Sequence, residues 1–231
     1  MLVAAGSLLL AGCQTAPPAV NDPRVLALLP PGADAYFFLD VRNNHVLAQD
    51  FISAVSAGAA RRGESNSAVD RTRYVYGALA RGKLYIVGSG QYPGFLFSYA
   101  FRGNRNWNEE SIRVNGKKLI YWQQKDGEFQ VALSRNGTLL ASNGDIQSLF
   151  SREQQSAGEI PAVPPEVVQE FGLQDLVFYA PGGEGGSFLP GLASGVVGHL
   201  LVLVRGNRPS GGAAQAASSY AMSFSLTARS E

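Results

Sequence analysis

Residues Ser111 to Ser142 read SIRVNGKKLIYWQQKDGEFQVALSRNGTLLAS, four strand-like runs divided by three turn dipeptides. The runs are Ser111 to Val114, Lys117 to Gln124, Glu128 to Ser134 and Thr138 to Ser142. The dipeptides are Asn115-Gly116, Asp126-Gly127 and Asn136-Gly137. Such pairs suit two-residue hairpin loops, because both central positions need positive φ and the twist of that turn matches the strands it joins. The stretch therefore predicts a four-stranded antiparallel meander, and with it an α+β fold built mainly on antiparallel sheet with a few covering helices.

Upstream, Ala35 to Val41 (AYFFLDV) follows the turn Pro30-Pro31-Gly32-Ala33-Asp34 and is apolar on both faces, as a central strand is. A helix over 44–60 is expected to cover it, capped by Asn43 or Asn44, with Leu47, Phe51 and Val55 repeating every four residues beside Ala48, Ile52 and Ala59. Arg73 to Ala80 and Lys83 to Gly88 alternate in hydropathy and meet at Arg81-Gly82, a two-residue hairpin. Phe95 to Phe101 fits helix or strand; Pro93 just before it favours a short helix. Downstream, Asp145 caps a helix at Ile146 to Arg152, a second helix runs from Glu166 to Phe171, and strands follow at Asp175 to Ala180, Val196 to Val204 and Tyr220 to Ala228. The proline pairs Pro30-Pro31 and Pro164-Pro165 each precede a strand, an echo that points to two related halves, 23–152 and 160–231, within a single globular unit over 23–231.

The chain opens on Met1 to Cys13, MLVAAGSLLLAGC, an uncharged run that stops at the only cysteine. It is well short of the ~20 residues a membrane-spanning helix needs, and it ends in small residues like a cleaved export signal. No Lys or Arg stands in Met1 to Ala4, where a signal normally carries one, which leaves a start upstream of Met1 open. Leu10-Ala11-Gly12-Cys13 resembles the lipobox of bacterial lipoproteins. That resemblance implies that residues 1–12 are a signal peptide, that Cys13 carries the lipid, and that the membrane, reached through acylated Cys13, is the first partner. Gln14 after the cysteine, by resemblance to enterobacterial lipoproteins, implies the outer membrane rather than the inner. Residues 13–22, with Pro17-Pro18, read as a tether that spans roughly 25 to 30 Å if extended. The alternative reading of the opening run is a buried apolar helix with a free thiol.

Charge implies no electrostatic partner. The 231 residues carry 19 basic and 18 acidic side chains, interspersed, for a net charge of +1. A nucleic-acid binder would show a basic face, and the densest cluster, Arg102, Arg105 and Arg113, is diluted by Glu109 and Glu110. With its one cysteine assigned to lipid, the exported domain has no thiol for a disulfide or for nucleophilic catalysis.

No motif carries a recognisable chemistry. Gly77 to Leu84 has phosphate-loop spacing, yet Leu84 stands where a magnesium-binding hydroxyl is needed, and a hairpin rather than a helix follows. Gly182 to Gly186 lacks the dinucleotide spacing and reads as a loop. His45 and His199 have no Asp or Glu at ligand spacing, so no metal site is expected. There is no Gly-x-Ser-x-Gly elbow. Asp34, Asp40, Glu109 and Glu110 are available carboxylates that nothing in the sequence pairs, and Asp40, at the end of an apolar strand, is the candidate for burial.

Aromatics are the remaining signal. Tyr92, Phe95, Phe97, Tyr99, Phe101, Trp107, Tyr121 and Trp122 fall within about thirty positions; core packing accounts for most of them. The functional alternative is that Phe95, Phe97, Tyr99, Trp107 and Trp122 line an apolar-ligand site. The sequence thus supports a non-catalytic, membrane-anchored envelope module, without cofactor, that meets a protein partner, or else a carrier of a lipid or other apolar molecule.

Overall fold

The computed structural model describes residues 19–49, 69–102, 104–134, 136–155, 163–181, 197–206 and 220–228. They build one ten-stranded sheet in which every neighbouring pair is antiparallel. The strands are β1 (Ala35–Asp40), β2 (Thr72–Ala80), β3 (Lys83–Gly90), β4 (Trp107–Val114), β5 (Lys117–Gln124), β6 (Gln130–Leu133), β7 (Leu139–Ser142), β8 (Leu176–Pro181), β9 (Val197–Gly206) and β10 (Tyr220–Ala228). Their order across the sheet is β10-β9-β8-β1-β2-β3-β7-β6-β5-β4. This is the α+β, sheet-dominated fold the hairpin signals predict.

The turns are where the sequence reading needs refinement. Arg81 (φ +53°) with Gly82 (φ +72°), and Asn115 (φ +48°) with Gly116 (φ +77°), are two-residue turns with both residues left-handed. The other two expected turns are longer. Neither Asp126 nor Gly127 has positive φ; the loop closes when Gln124 N–H donates to the Phe129 carbonyl at 2.9 Å, so Glu128 and Phe129 fall in the loop and β6 starts at Gln130. At Asn136-Gly137 only Gly137 (φ +76°) is left-handed, and Ser134 N–H reaches the Thr138 carbonyl at 2.8 Å across a three-residue loop. Loops of three to five residues are the next commonest hairpin connections after the two-residue kind. The first strand of the meander is also longer than expected, because β4 begins at Trp107.

The helices are short. α1 (Pro23–Leu26) starts with Asp22 accepting from Arg24 N–H at 3.0 Å and Pro23 in the first turn, where a missing N–H costs nothing. α2 (Gly94–Phe101) follows Pro93 and settles the helix-or-strand ambiguity as helix. α3 (Ile146–Gln155) is capped by Asp145, which accepts from Gln147 N–H at 2.9 Å. α4 (Pro165–Glu170) follows Pro164. Residues 45–49 begin the helix expected over 44–60, with Ala48 N–H donating to the Asn44 carbonyl at 2.9 Å. Its seat differs from the expected face. Ala48 is buried beside Leu39 and Val41, while Leu47 and Val46 are exposed, because the small methyl lets the helix start lie close on the strand end. The remainder, with Phe51, Ile52, Val55 and Ala59, lies outside the described residues.

One face of the sheet holds the main core. Tyr36, Phe38, Tyr74, Tyr76, Val87, Leu119, Ala132, Leu140 and Val177 meet Leu26, Leu29, Ile146, Leu149, Phe150, Val167 and Phe171 from α1, α3 and α4 and their flanks. The opposite face has a smaller cluster of Leu39, Val41, Ala48, Val69, Val75, Ile86 and Ala141. In β1 alternate residues supply both clusters, which is why that strand is apolar throughout.

The two proline pairs precede β1 and β8, and these strands lie side by side, Phe37 opposite Phe178 and Phe38 opposite Val177. From that seam β1-β2-β3 and β8-β9-β10 run outward as two three-stranded meanders of the same order. Val20, within the stretch read as tether, already packs on the fold. Tyr76 donates its hydroxyl hydrogen to the Val20 carbonyl, and a Cβ on Gly172 would lie 3.0 Å from the Val20 side chain.

At the end of β3 the chain passes very close to the start of β2. A Cβ on Gly90 would lie 2.1 Å from the Arg71 carbonyl oxygen, which also accepts from Gln91 N–H at 3.0 Å. The obstruction is backbone, so it does not swing aside. Gly90→Ala is expected to destabilise the protein by about 2 kcal/mol, measured by urea unfolding.

Candidate functional site

The feature that stands apart from ordinary core is α2. Its sequence, GFLFSYAF, is apolar nearly all round, and a helix of that kind is normally buried on every side. Helical spacing divides its aromatics into two pairs four residues apart. Phe97 and Phe101 face the sheet, their ring centroids 5.0 Å apart. Phe95 and Tyr99 face away, 74% and 79% exposed.

Under the inward pair lie Trp107 of β4 and Trp122 of β5. Trp107 is opposite Gln124 and Glu109 opposite Trp122, so the two indoles are diagonal neighbours on one face of the hairpin. Phe97 meets Trp122 edge-on at 5.2 Å, Phe101 stacks on Trp122 at 5.1 Å, and Phe101 meets Trp107 edge-on at 5.2 Å. These are favourable aromatic geometries, each contributing about 0.5–1.5 kcal/mol beyond area burial. Trp122 is 4% exposed, and its Nε1–H is a buried donor without an acceptor among the described residues. Such a group costs free energy until an acceptor reaches it.

Of the five aromatics expected to line one site, the structure therefore brings Phe97, Trp107 and Trp122 together and turns Phe95 and Tyr99 outward. Phe101 belongs to the inner group; its spacing of four from Phe97 is the signal that identifies it. Tyr121 points to the other face, into the main core. Tyr92 hydrogen-bonds Thr72 at 2.7 Å, hydroxyl to hydroxyl, and burial raises its pKa. Cys13, the expected lipidation site, and the Gly182 to Gly186 loop lie outside the described residues.

The carboxylates and histidines have local explanations. Asp40 is buried, and its oxygens accept from Arg42 N–H at 3.1 Å and Asn43 Nδ2 at 2.7 Å, which is turn chemistry at the end of β1. Glu109 is exposed on β4, with the Arg102 guanidinium 3.9 Å away. His45 Nε2 is 2.7 Å from Asp70 in an exposed pair, and the His199 ring lies 5.9 Å from that of Tyr179. Gly77 to Leu84 is the β2–β3 hairpin. Among the described residues no three His, Cys, Asp or Glu side chains are placed to hold a metal, and no helix is long and apolar enough to cross a membrane.

A family model described as outer membrane-associated lipoprotein TP0453 matches residues 21–198, well over half of the chain. Among solved structures, crystal form III of TP0453 superposes with a TM-score of 0.63 at 21% identity, over 89% of this chain and 79% of that one. Crystal form IV gives 0.60 at 22% identity, over 81% and 76%. At such identities the likeness is one of fold. No curated protein sequence matches.

Proposed function

This chain belongs to the TP0453 family of outer membrane-associated lipoproteins, and from that premise we propose that it is a non-catalytic envelope module, lipid-tethered at Cys13, that rests α2 on the bilayer surface. The family places the protein in the cell envelope at the outer membrane. The observation that carries the rest is the outward pair Phe95 and Tyr99. Two large aromatic side chains stand in water on a helix whose other pair is locked into a four-ring cluster, so the helix is held rigid while presenting them. A tethered domain has a bilayer always within reach. Aromatic side chains with an apolar body, one of them with a polar tip, suit its interface.

The test uses the full chain with Cys13→Ser, so that no acyl group masks the contact, mixed with vesicles of pure phosphatidylcholine. Phe95→Ser with Tyr99→Ser is expected to weaken partitioning about tenfold or more, from the apolar area no longer removed from water. The melting temperature should hold, since both side chains are exposed. Unchanged partitioning would overturn the reading.

A second reading, a carrier of an apolar molecule, is favoured by one observation, the unpartnered Trp122 Nε1–H inside the ring cluster. Its support would be an apolar molecule with an acceptor oxygen, recovered stoichiometrically by mass spectrometry of organic extracts from the detergent-free protein.

A further inference from the structure

At the end of β1 and the start of β2, two arginines converge on one phenol. Arg73 Nε donates to the Tyr74 hydroxyl oxygen at 3.0 Å and Arg42 Nη2 donates to the same oxygen at 3.3 Å. Both guanidinium carbons lie over the Tyr74 ring, 5.2 and 5.7 Å from its centroid. Tyr74 is 4% exposed and fixed in the main core against Phe38 and Tyr76, so the oxygen that gathers the two cations does not wander.

The donors outnumber the acceptors. With two N–H groups directed at it, the Tyr74 oxygen is used as an acceptor, and its own hydrogen has no acceptor among the described residues. Arg73 gives one N–H to the phenol, and its terminal nitrogens meet no carboxylate among the described residues. The carboxylate beside Arg42 is Asp40, and its Oδ1 is 3.9 Å from Arg42 Nε, beyond hydrogen-bond distance, while its oxygens accept from Arg42 N–H and Asn43. Asp70 nearby in sequence is bound to His45. Two guanidinium forks held together against their mutual repulsion, with a phenolic hydrogen between them and a single carboxylate, Asp40, 3.9 Å from Arg42, make a donor-rich site that keeps a net positive charge. Planar forks of this kind match the oxygens of a phosphate group.

The site also has a telling address. The Tyr74 ring is 6.4 Å from that of Tyr76, whose hydroxyl holds the Val20 carbonyl. Val20 stands seven positions after Cys13, at most ~25 Å of extended chain. The opening of α2 lies at the same end of the sheet, since Gly90, four residues before Gly94, pairs with Thr72 beside Arg73.

We propose that Arg42, Arg73 and the Tyr74 hydroxyl form a phosphate-binding site. Its ligand is a phosphate group, supplied by an anionic lipid headgroup or by the free ion. The headgroup source rests on the membrane-resting reading above; phosphate recognition itself does not.

The experiment again uses the full Cys13→Ser chain. Vesicles of phosphatidylcholine with phosphatidylglycerol are compared with pure phosphatidylcholine, alongside calorimetric titration with inorganic phosphate. The expected result is roughly 30-fold tighter binding to the anionic vesicles, from about a fivefold share per arginine, falling toward unity in Arg42→Gln/Arg73→Gln. Partial retention is expected in Arg73→Lys, which keeps the charge and loses the fork. Unchanged binding to pure phosphatidylcholine, which reads the Phe95 and Tyr99 contact, shows that the double variant is folded. If saturable phosphate binding is lost in the variant while vesicle preference is absent, the free ion is the ligand. If neither vesicle preference nor phosphate binding differs between the parent chain and the double variant, the site does not exist. Loss of the phosphatidylcholine contact in Phe95→Ser/Tyr99→Ser with the anionic preference intact separates the two readings.

Discussion

Replacing Phe38 with alanine is expected to lower the free energy of unfolding by about 3–5 kcal/mol, measured by denaturant titration at constant m-value. Phe38 is fully buried on β1. Its ring is stacked on Phe171 with centroids 4.6 Å apart and planes 9° apart, and it is tilted against Tyr74 at 5.7 Å and Tyr76 at 5.4 Å. Three ring neighbours, two from β2 and one from the end of α4, cannot close the void together, because Phe171 is held by its helix and the tyrosines by the pleat of β2. The cost of the cavity is therefore added to the lost burial. The damage should spread to the N-terminal segment, since Tyr76 is also the hydroxyl that holds Val20. Val46→Ala, on an exposed residue of the 45–49 helix start, is the contrasting case and should stay within about 0.5 kcal/mol of the parent. A loss at Phe38 no larger than that would mean the ring cluster repacks freely, and that the main core is looser than these geometries imply.

Local chemistry made much of this fold legible. A left-handed pair such as Asn115-Gly116 is written in two adjacent residues, and the strands beside it alternate with period two, so the hairpin needs no distant information. Asp126-Gly127 shows the limit, because the same dipeptide type sits in a longer loop once the register of β5 against β6 is fixed by Trp122 opposite Val131. Period two also says nothing of which strand lies beside which. The insertion of β7 between β3 and β6, and the seam that sets Phe37 beside Phe178, are decided by packing across the chain. The site was half visible for a related reason. Aromatic density marked the neighbourhood of α2, but a helix apolar all round has no polar face to say which side is inward, so Phe95 and Tyr99 read like Phe97 and Phe101. The convergence of Arg42 and Arg73 on Tyr74 was not legible at all, since it arises only when Asp40 pairs with Tyr74 across β1 and β2.

In a host that exports and processes the chain, Cys13→Ser is expected to move the protein from the membrane pellet to the soluble fraction and to abolish incorporation of labelled fatty acid. The expectation follows from arithmetic on the anchor. Each buried methylene contributes about 0.8 kcal/mol, one acyl chain holds only marginally, and two or more hold stably. On the proposed anchoring at Cys13, losing the sulfur takes away far more binding free energy than the proposed Phe95 and Tyr99 contact would supply, by at least about a thousandfold in partitioning. The weaker contacts decide what remains. The soluble Cys13→Ser chain should still associate reversibly with vesicles, and that residual binding should respond to Phe95→Ser/Tyr99→Ser and to Arg42→Gln/Arg73→Gln by separate amounts. An anchor that sets residence and a folded surface that sets orientation are different jobs, and only the second depends on the sheet. Should Cys13→Ser stay in the pellet and resist high salt, the lipobox reading of Leu10 to Cys13 is wrong, and the membrane association of the family must in this member come from the folded domain itself.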